Sequence, residues 1–341
     1  MVDALPRFTP AWWLPGAHLQ TLWVRLGPRR IHGAFQREVL TTPDDDDLIL
    51  DHTAGVAGSP RVLLLHGLEG SAHSPHTARL VGLVARAGWR STVLNFRSCA
   101  RDPADLRQRL PNRRPRLYHS GETGDLDFVV RTLAAREPQT PLYGLGFSLG
   151  GNVLLKWLGE VGAASRITAA AVLSVPYDLE ASSRFLERPA GRLYAAHFLG
   201  RLRAKADALL QRFPQETRHL DADRIRNART IAAFDEHLTA PLHGFASATD
   251  YYQRSSSLGF LPRITIPTLC ISAADDPLFP AEALARARDA ASASVTFEVT
   301  PHGGHVGFIG GRWPFSPRYW GEESAVAWLA QTAEKGAGSR P

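Results

Sequence analysis

The chain has 341 residues, of which 44% are hydrophobic, and a formal net charge of +6 at pH 7. That length and apolar content suffice to bury a large core, so one domain carrying an insertion is expected. Two cysteines supply no disulfide framework, no run approaches the roughly 20 uninterrupted apolar residues of a bilayer span, and residues 1–7 lack the basic start and apolar centre of a secretory signal. A soluble cytoplasmic protein is the expectation.

In chain order, residues 1–36 read as an amino-terminal arm. Its apolar cluster Trp12-Trp13-Leu14-Pro15 should pack over the core, with contact to a membrane interface as the alternative use of two amphipathic indoles. Residues 38–50 read as an antiparallel hairpin whose turn is Pro43 followed by four aspartates. Leu63-Leu64-Leu65 is the first buried parallel strand, residues 77–88 its helix and residues 91–96 the next strand, a β-α-β unit. Five arginines follow at 107, 109, 113, 114 and 116. They read as a solvated loop, or else as a basic surface for anionic lipids or acidic ligands; with no recognised binding module beside them, no nucleic-acid partner is expected. Residues 125–136 form a further helix.

The most informative stretch comes next. Thr140-Pro141-Leu142-Tyr143-Gly144-Leu145 is a strand, Asn152-Val153-Leu154-Leu155-Lys156-Trp157-Leu158 is a helix, and Gly146-Phe147-Ser148-Leu149-Gly150 joins them. Glycines flank the serine because a strand-to-helix turn this sharp brings backbone too close for side chains, and the hydroxyl is thereby presented above the sheet. This is the nucleophile elbow of the α/β-hydrolases. Serine needs a base and an orienting carboxylate later in the chain, in the order Ser, Asp, His. Strand residues 268–272 run out into Asp275-Asp276-Pro277, and strand residues 295–299 lead into His302-Gly303-Gly304-His305. Asp276 is the favoured acid, because in this fold the acid commonly precedes the proline of a D-P-x-x-P turn, here Asp276-Pro277-Leu278-Phe279-Pro280. Asp275 would cap the turn. His305 is favoured over His302, which reads as a loop residue. The oxyanion hole requires two backbone N–H groups. Leu149, after the nucleophile, supplies one, and Leu68 in the turn His66-Gly67-Leu68-Glu69-Gly70 supplies the other, with His66 bracing that loop.

The His and Asp spacing matches no zinc or two-metal pattern, so neither metal nor organic cofactor is expected. Cys99 and Cys270 sit in or beside strands as buried thiols, and Cys99 lacks the elbow geometry of a nucleophile. Residues 177–262 hold no comparable apolar strand. There Leu199, Leu202, Ala206, Leu209 and Phe213 recur at steps of three and four, which marks a helix with one apolar face. The expected organisation is an α/β fold with a mostly parallel central sheet: a core in two pieces (37–176 and 263–333), a helical cap inserted between them (177–262), a closing helix at 322–332 and a flexible tail (334–341).

Beyond the elbow, the chain resembles the YheT-like branch of the AB-hydrolase-4 family. The resemblance rests on Gly16-Ala17-His18-Leu19-Gln20-Thr21, His66-Gly67-Leu68-Glu69-Gly70-Ser71, Asn95-Phe96-Arg97 with Cys99, Tyr118-His119-Ser120-Gly121-Glu122-Thr123, the elbow, Asp250-Tyr251-Tyr252, Asp275-Asp276-Pro277 and Gly303-Gly304-His305-Val306-Gly307-Phe308. One departure is Ser98, where the family usually carries Gly. The resemblance implies hydrolysis of small or lipid-like esters. An acyltransferase with the same triad and a non-catalytic ligand-binding homologue remain open, and Asp250-Tyr251-Tyr252 has no chemistry assignable from sequence.

Overall fold

The computed structural model describes residues 5–26 and 35–338, so residues 1–4 and 27–34 of the arm and 339–341 of the tail lie outside the described residues. The arm carries helix α1 (Ala17–Leu26), followed by the hairpin strands β1 (Gln36–Thr41) and β2 (Asp47–His52). The alternating core comes next: β3 (Arg61–Leu65), α2 (Pro75–Arg86), β4 (Arg90–Asn95), α3 (Gly124–Arg136), β5 (Leu142–Phe147), α4 (Leu149–Val161) and β6 (Ala169–Leu173). The chain then leaves the sheet for α5 (Leu179–Leu186), α6 (Pro189–Arg212), α7 (Ala222–Asn227), α8 (Ile231–Phe234), a single π-helical turn (Asp235–Thr239), α9 (Ala240–Leu242), α10 (Ala248–Ser255) and a 3-10 stretch (Ser257–Arg263). It returns as β7 (Thr268–Ala273), α11 (Ala281–Ala290) and β8 (Val295–Thr300), makes the short pair β9 (Ile309–Gly310) and β10 (Arg318–Tyr319), and closes with α12 (Trp320–Gly338).

Eight strands form one sheet in the order β1-β2-β4-β3-β5-β6-β7-β8. The hairpin is antiparallel and β2 pairs antiparallel with β4, whereas β4, β3, β5, β6, β7 and β8 are all parallel. Parallel strands covered on both faces must be apolar on both, and β3 through its period of two illustrates how the two cores separate. Leu63 and Leu65 join Leu126, Val130 and Val153 of α3 and α4 on one side. Val62 and Leu64 join Leu80, Val84 and Leu329 of α2 and α12 on the other. From β3 the chain crosses to β4 on one side and later returns to β5 on the other. The loops after β3 and β5 therefore diverge, and a crevice opens above their carboxyl ends, the usual ligand site of such sheets.

Several elements depart from the sequence reading. The closing helix runs through residues 334–338, expected as tail, because Ala333, Glu334 and Lys335 are good helix formers that continue its last turns. Each of the five arginines faces a carboxylate. Arg113 pairs with Asp45 and Asp47, Arg114 with Asp45 and Arg116 with Asp44, all in the hairpin, while Arg109 pairs with Glu69 and Arg107 with Asp105. Asp44 and Asp46 also join Asp125 in surrounding the buried Arg97 guanidinium at 2.7–2.9 Å. A run of four aspartates is thus explained by the arginines it faces. Ser98 adopts φ = 59°, the left-handed region that suits glycine, and donates a 2.8 Å hydrogen bond to Asn112 Oδ1 that offsets part of the strain.

In the arm, Ala11, Leu14 and Val24 are buried with Ile309, and the Trp13 ring meets Trp23 edge-on at 4.9 Å. Trp12 stays exposed and donates its indole N–H to Arg312 O. The helix stripe Leu199, Ala206 and Leu209 is buried chiefly within the inserted region, against Ile225, Phe234 and Leu238, with Leu117 from the arginine loop. Both cysteines are free and buried. Among the described residues no helix is long and apolar enough to cross a membrane.

Candidate active site

At the end of β5, Ser148 holds φ = 52° and ψ = −125°, a conformation a side-chain-bearing residue adopts only when its surroundings enforce it. The flanking glycines are required by space. A Cβ on Gly150 would lie 2.4 Å from Leu65 O and one on Gly146 would lie 2.7 Å from Gly150 O, both backbone atoms unable to yield. The hydroxyl so presented meets His305 Nε2 at 3.0 Å. His305 Nδ1 lies 2.9 Å from Asp276 Oδ2, and Asp276 Oδ1 accepts the Leu278 N–H at 2.8 Å.

The adjacent aspartate does something else. Asp275 Oδ1 accepts the Gly304 N–H at 2.9 Å, which ties the histidine loop to the strand end, and His302 is exposed with only a 3.4 Å approach to Asp275. Sequence alone did not reveal how the arm supports this loop. Thr21 Oγ1 accepts the His305 N–H at 2.9 Å, while Gln20 accepts the Ile309 N–H and donates to Leu14 O and Ile309 O. The Gly16 to Thr21 stretch thus holds the backbone of the histidine loop from outside the sheet.

A family model described as alpha/beta hydrolase fold matches residues 60–311. The chain belongs to this hydrolase family. YheT of Escherichia coli (strain K12), which carries an esterase name, is 36% identical over 96% of this chain and 94% of its own. Phospholipase ABHD3 of Mus musculus is 30% identical over 82% of this chain and 68% of its own. Among solved structures, the Pyrococcus furiosus esterase Pf2001 superposes with a TM-score of 0.52 at 18% identity, covering 82% of this chain and 90% of that one, a likeness of fold. The chain is accordingly a hydrolase of the esterase and lipase type.

Around the hydrolase's serine, the loop after β3 packs close: a Cβ on Gly67 would stand 3.3 Å from the Ser148 Cβ. The loop closes through Gly70 N–H to Gly67 O, and Leu68 lines the crevice beside Ser148. Leu149 opens α4, so its N–H belongs to the first turn, whose amides have no intrahelical acceptor. His66 is fully buried and braces the loop. The Phe96 N–H donates to its Nε2, so the Nδ1 proton goes to Gly67 O at 2.8 Å, and burial lowers its pKa to about 4. The imidazole is therefore neutral and plays no part in the serine array.

Glu69 ties the same loop to the inserted helices. Its backbone takes φ = 58° and its N–H donates to the Tyr118 hydroxyl, which donates in turn to Glu69 Oε1. Lys205 of α6 reaches Glu69 Oε1 at 2.7 Å and Arg109 reaches Oε2 at 2.5 Å. Burial opposes ionisation of this carboxyl, but the two cations prevail and hold its pKa below the ordinary value. Asn152 of α4 adds a second tie, donating to Ser120 O and Ser255 O and accepting the Ser257 N–H. Tyr251 and Tyr252 also acquire roles: Tyr251 accepts the Ser120 N–H at 2.9 Å, and Tyr252 donates to Asp235 Oδ2 at 2.7 Å.

Two cavities meet at Ser148. One, of about 140 Å³, lies between the sheet and the inserted helices and is bounded near the serine by Leu68, Leu149 and Leu278. The other, of about 570 Å³, runs past His305 and is bounded by His18, His76, Tyr194 and Arg201. Among the described residues, no group of three or more His, Cys, Asp or Glu side chains is disposed to hold a metal ion.

Proposed function

We propose that this hydrolase cleaves carboxylic esters through a Ser148–His305–Asp276 triad and an acyl-enzyme intermediate. The observation that carries the reading is the continuous hydrogen-bonded array from Asp276 through His305 to a serine held in a strained turn. Ser148 Oγ attacks the ester carbonyl as His305 Nε2 takes its proton. Asp276 keeps the remaining imidazole proton on Nδ1 and stabilises the cation that forms. The Leu68 and Leu149 amides stabilise the oxyanion, and His305 returns the proton to the departing alcohol. Water, activated by the same imidazole, then releases the acid. None of these steps needs a metal or an organic cofactor. Residues 177–262 act as a cap over this site.

The two cavities take opposite halves of the substrate. The leaving oxygen must be within reach of His305, so the alcohol occupies the larger cavity, which His305 lines, and the acyl group occupies the chamber beneath the cap. A dry cavity of about 150 Å³ in another protein holds benzene, so an acyl group of about six carbons fits a chamber of this size. The larger cavity has room for a glycerol-based alcohol, a substrate class in keeping with the phospholipase name of one relative.

Hydrolysis of p-nitrophenyl esters of increasing acyl length tests the reading. The expected outcome is a maximum near six carbons, with Ser148→Ala lowering kcat by at least about 10⁴-fold. Equal turnover by Ser148→Ala would overturn the triad, and failure of the intact protein on every ester would favour transfer to another acceptor or a binding role.

A further inference from the structure

Besides the two cavities at Ser148, a groove of about 370 Å³ runs between α6 and the arginine loop. Pockets of roughly 300–1,000 Å³ are the size that takes small molecules. One wall is α6 itself, where Arg201, Lys205, Ala208 and Arg212 recur at helical steps and so share a face. Arg201 and Arg212 stand three turns apart, about 16 Å along the axis. Between them the exposed Ala204 and Ala208 leave a trough. Leu110 and Pro111 of the facing loop and Phe213 at the helix end add apolar surface, none of it fully buried.

Charge is unbalanced at one end of this groove. Arg107, Arg109, Arg114 and Lys205 line it, but each is met by a carboxylate: Asp105, Glu69, Asp45 and again Glu69. No Asp or Glu lines the groove, and the exposed Arg201 and Arg212 form no ion pair among the described residues. Arg101 stands close by, where burial and repulsion from Arg109 and Arg201 lower its pKa. Arg101, Arg109, Arg201 and Lys205 thus gather at the Arg201 end, with Glu69 as the one carboxylate paired to any of them. At the far end Arg212 lies over the Phe213 ring, 5.5 Å from its centroid.

We propose that this groove binds an amphiphile with an anionic head and a single apolar chain, the head at Arg201 and the chain laid along Ala204 and Ala208 towards Phe213. A guanidinium fork takes a carboxylate or a phosphate in the same bidentate way. The middle of the groove offers the chain apolar surface to cover and no free charge to strand. A nucleic acid would need free cations along the whole length, and those between the two ends are taken up by carboxylates. A flat lipid surface would meet the exposed arginines without filling the trough. The site is independent of the ester-hydrolase reading.

Titration calorimetry of the intact chain with decanoate and with decyl phosphate, in the absence of any ester, tests the proposal. Both anions are expected to bind, and decyltrimethylammonium, the same chain with the opposite charge, is not. Arg201→Ala should weaken both anions by about tenfold or more, the factor that a charge-assisted hydrogen bond supplies, and Arg201→Lys should retain part of the affinity. Arg201 also borders the cavity that runs past His305, so the deciding variant is Ala208→Trp, which fills a trough that neither cavity at Ser148 shares. This exposed substitution should weaken binding at least as much with the melting temperature unmoved. Binding that survives Ala208→Trp would place the anions at Ser148 and overturn the proposal. Equal binding of the ammonium would overturn it too, as would sedimentation with phosphatidylglycerol vesicles by a chain that binds neither soluble anion. Each of these outcomes leaves the ester-hydrolase reading intact.

Discussion

Beneath Ser148 the backbone has almost no freedom, because Gly146 and Gly150 sit where any side chain would strike backbone and the elbow leaves one direction for the hydroxyl. Above it, the helices between β6 and β7 wall the cavity beside the serine, and polar ties join them to the loops and to α4 below: Lys205 to Glu69, Tyr251 to Ser120 and Ser255 to Asn152. In the reading proposed above, the floor positions the reacting atoms and the roof walls the acyl chamber, so that chemistry and selectivity fall to parts of the chain under different constraints, which is how one fold serves many substrates.

Three substitutions would sharpen or break that contrast. The largest effect is expected from Asp276→Asn in the floor. An amide there favours the wrong imidazole tautomer, so kcat/KM should fall by about 10⁴-fold while the far-UV spectrum and melting temperature barely move. A small loss of activity would mean that the floor does not depend on this carboxylate.

At the junction of floor and roof, Lys205→Met should destabilise by about 3 kcal/mol in denaturant unfolding, because it removes one of the two cations at the buried Glu69 carboxylate and leaves Arg109 as the other. The double variant Lys205→Met/Glu69→Gln, which removes the carboxylate charge as well, should recover part of that loss. If Lys205→Met lowers kcat on a short ester beyond what the folded fraction explains, floor and roof are mechanically coupled at the oxyanion loop; unchanged kcat in the folded fraction would make them independent.

The smallest effect lies wholly in the roof. Burial raises the Asp235 pKa from 3.8 to about 6, against the opposing hydrogen bonds from Thr239 and Tyr252. Between those values the unfolded chain ionises while the native carboxyl stays protonated. Its favourable contribution is therefore complete below about pH 4 and is lost as pH rises through about 6, a change of roughly 3 kcal/mol. Asp235→Asn should flatten that part of the stability–pH curve, read as melting temperature from pH 4 to 8. An identical slope in both proteins would show that Asp235 does not titrate as a buried acid.

The contrast also governs what could be read before folding. The parallel strands were legible because strands buried on both faces must be continuously apolar, and the elbow because its glycines answer a steric demand that is local in the chain. Of the helices between β6 and β7 only α6 was anticipated, from its stripe; the N-caps Asp178, Asp221 and Ser247, whose side chains accept amides of the first turn, came to light only in the structure. Asp276 was favoured over Asp275 from the turn pattern, and it is Asp276 that lies against His305; the cap expected of Asp275 is instead made by Asp276 Oδ1, which accepts the Leu278 N–H, while Asp275 accepts the Gly304 N–H of the histidine loop. What escaped were bonds between distant segments: Thr21 holding the His305 amide, the aspartate turn gathering the arginines, and Lys205 reaching Glu69.

The sequence by itself determined the fold class, the strained serine turn and the residue types placed at the carboxyl ends of β7 and β8, since each follows from periodicity or from sterics within a few residues. Only the tertiary structure decided how the arm steadies the histidine loop, which cavity faces His305 and what polarity lines the other. Those features are distances between side chains scores to hundreds of residues apart, and no local pattern constrains them. They arise where separately folded surfaces meet.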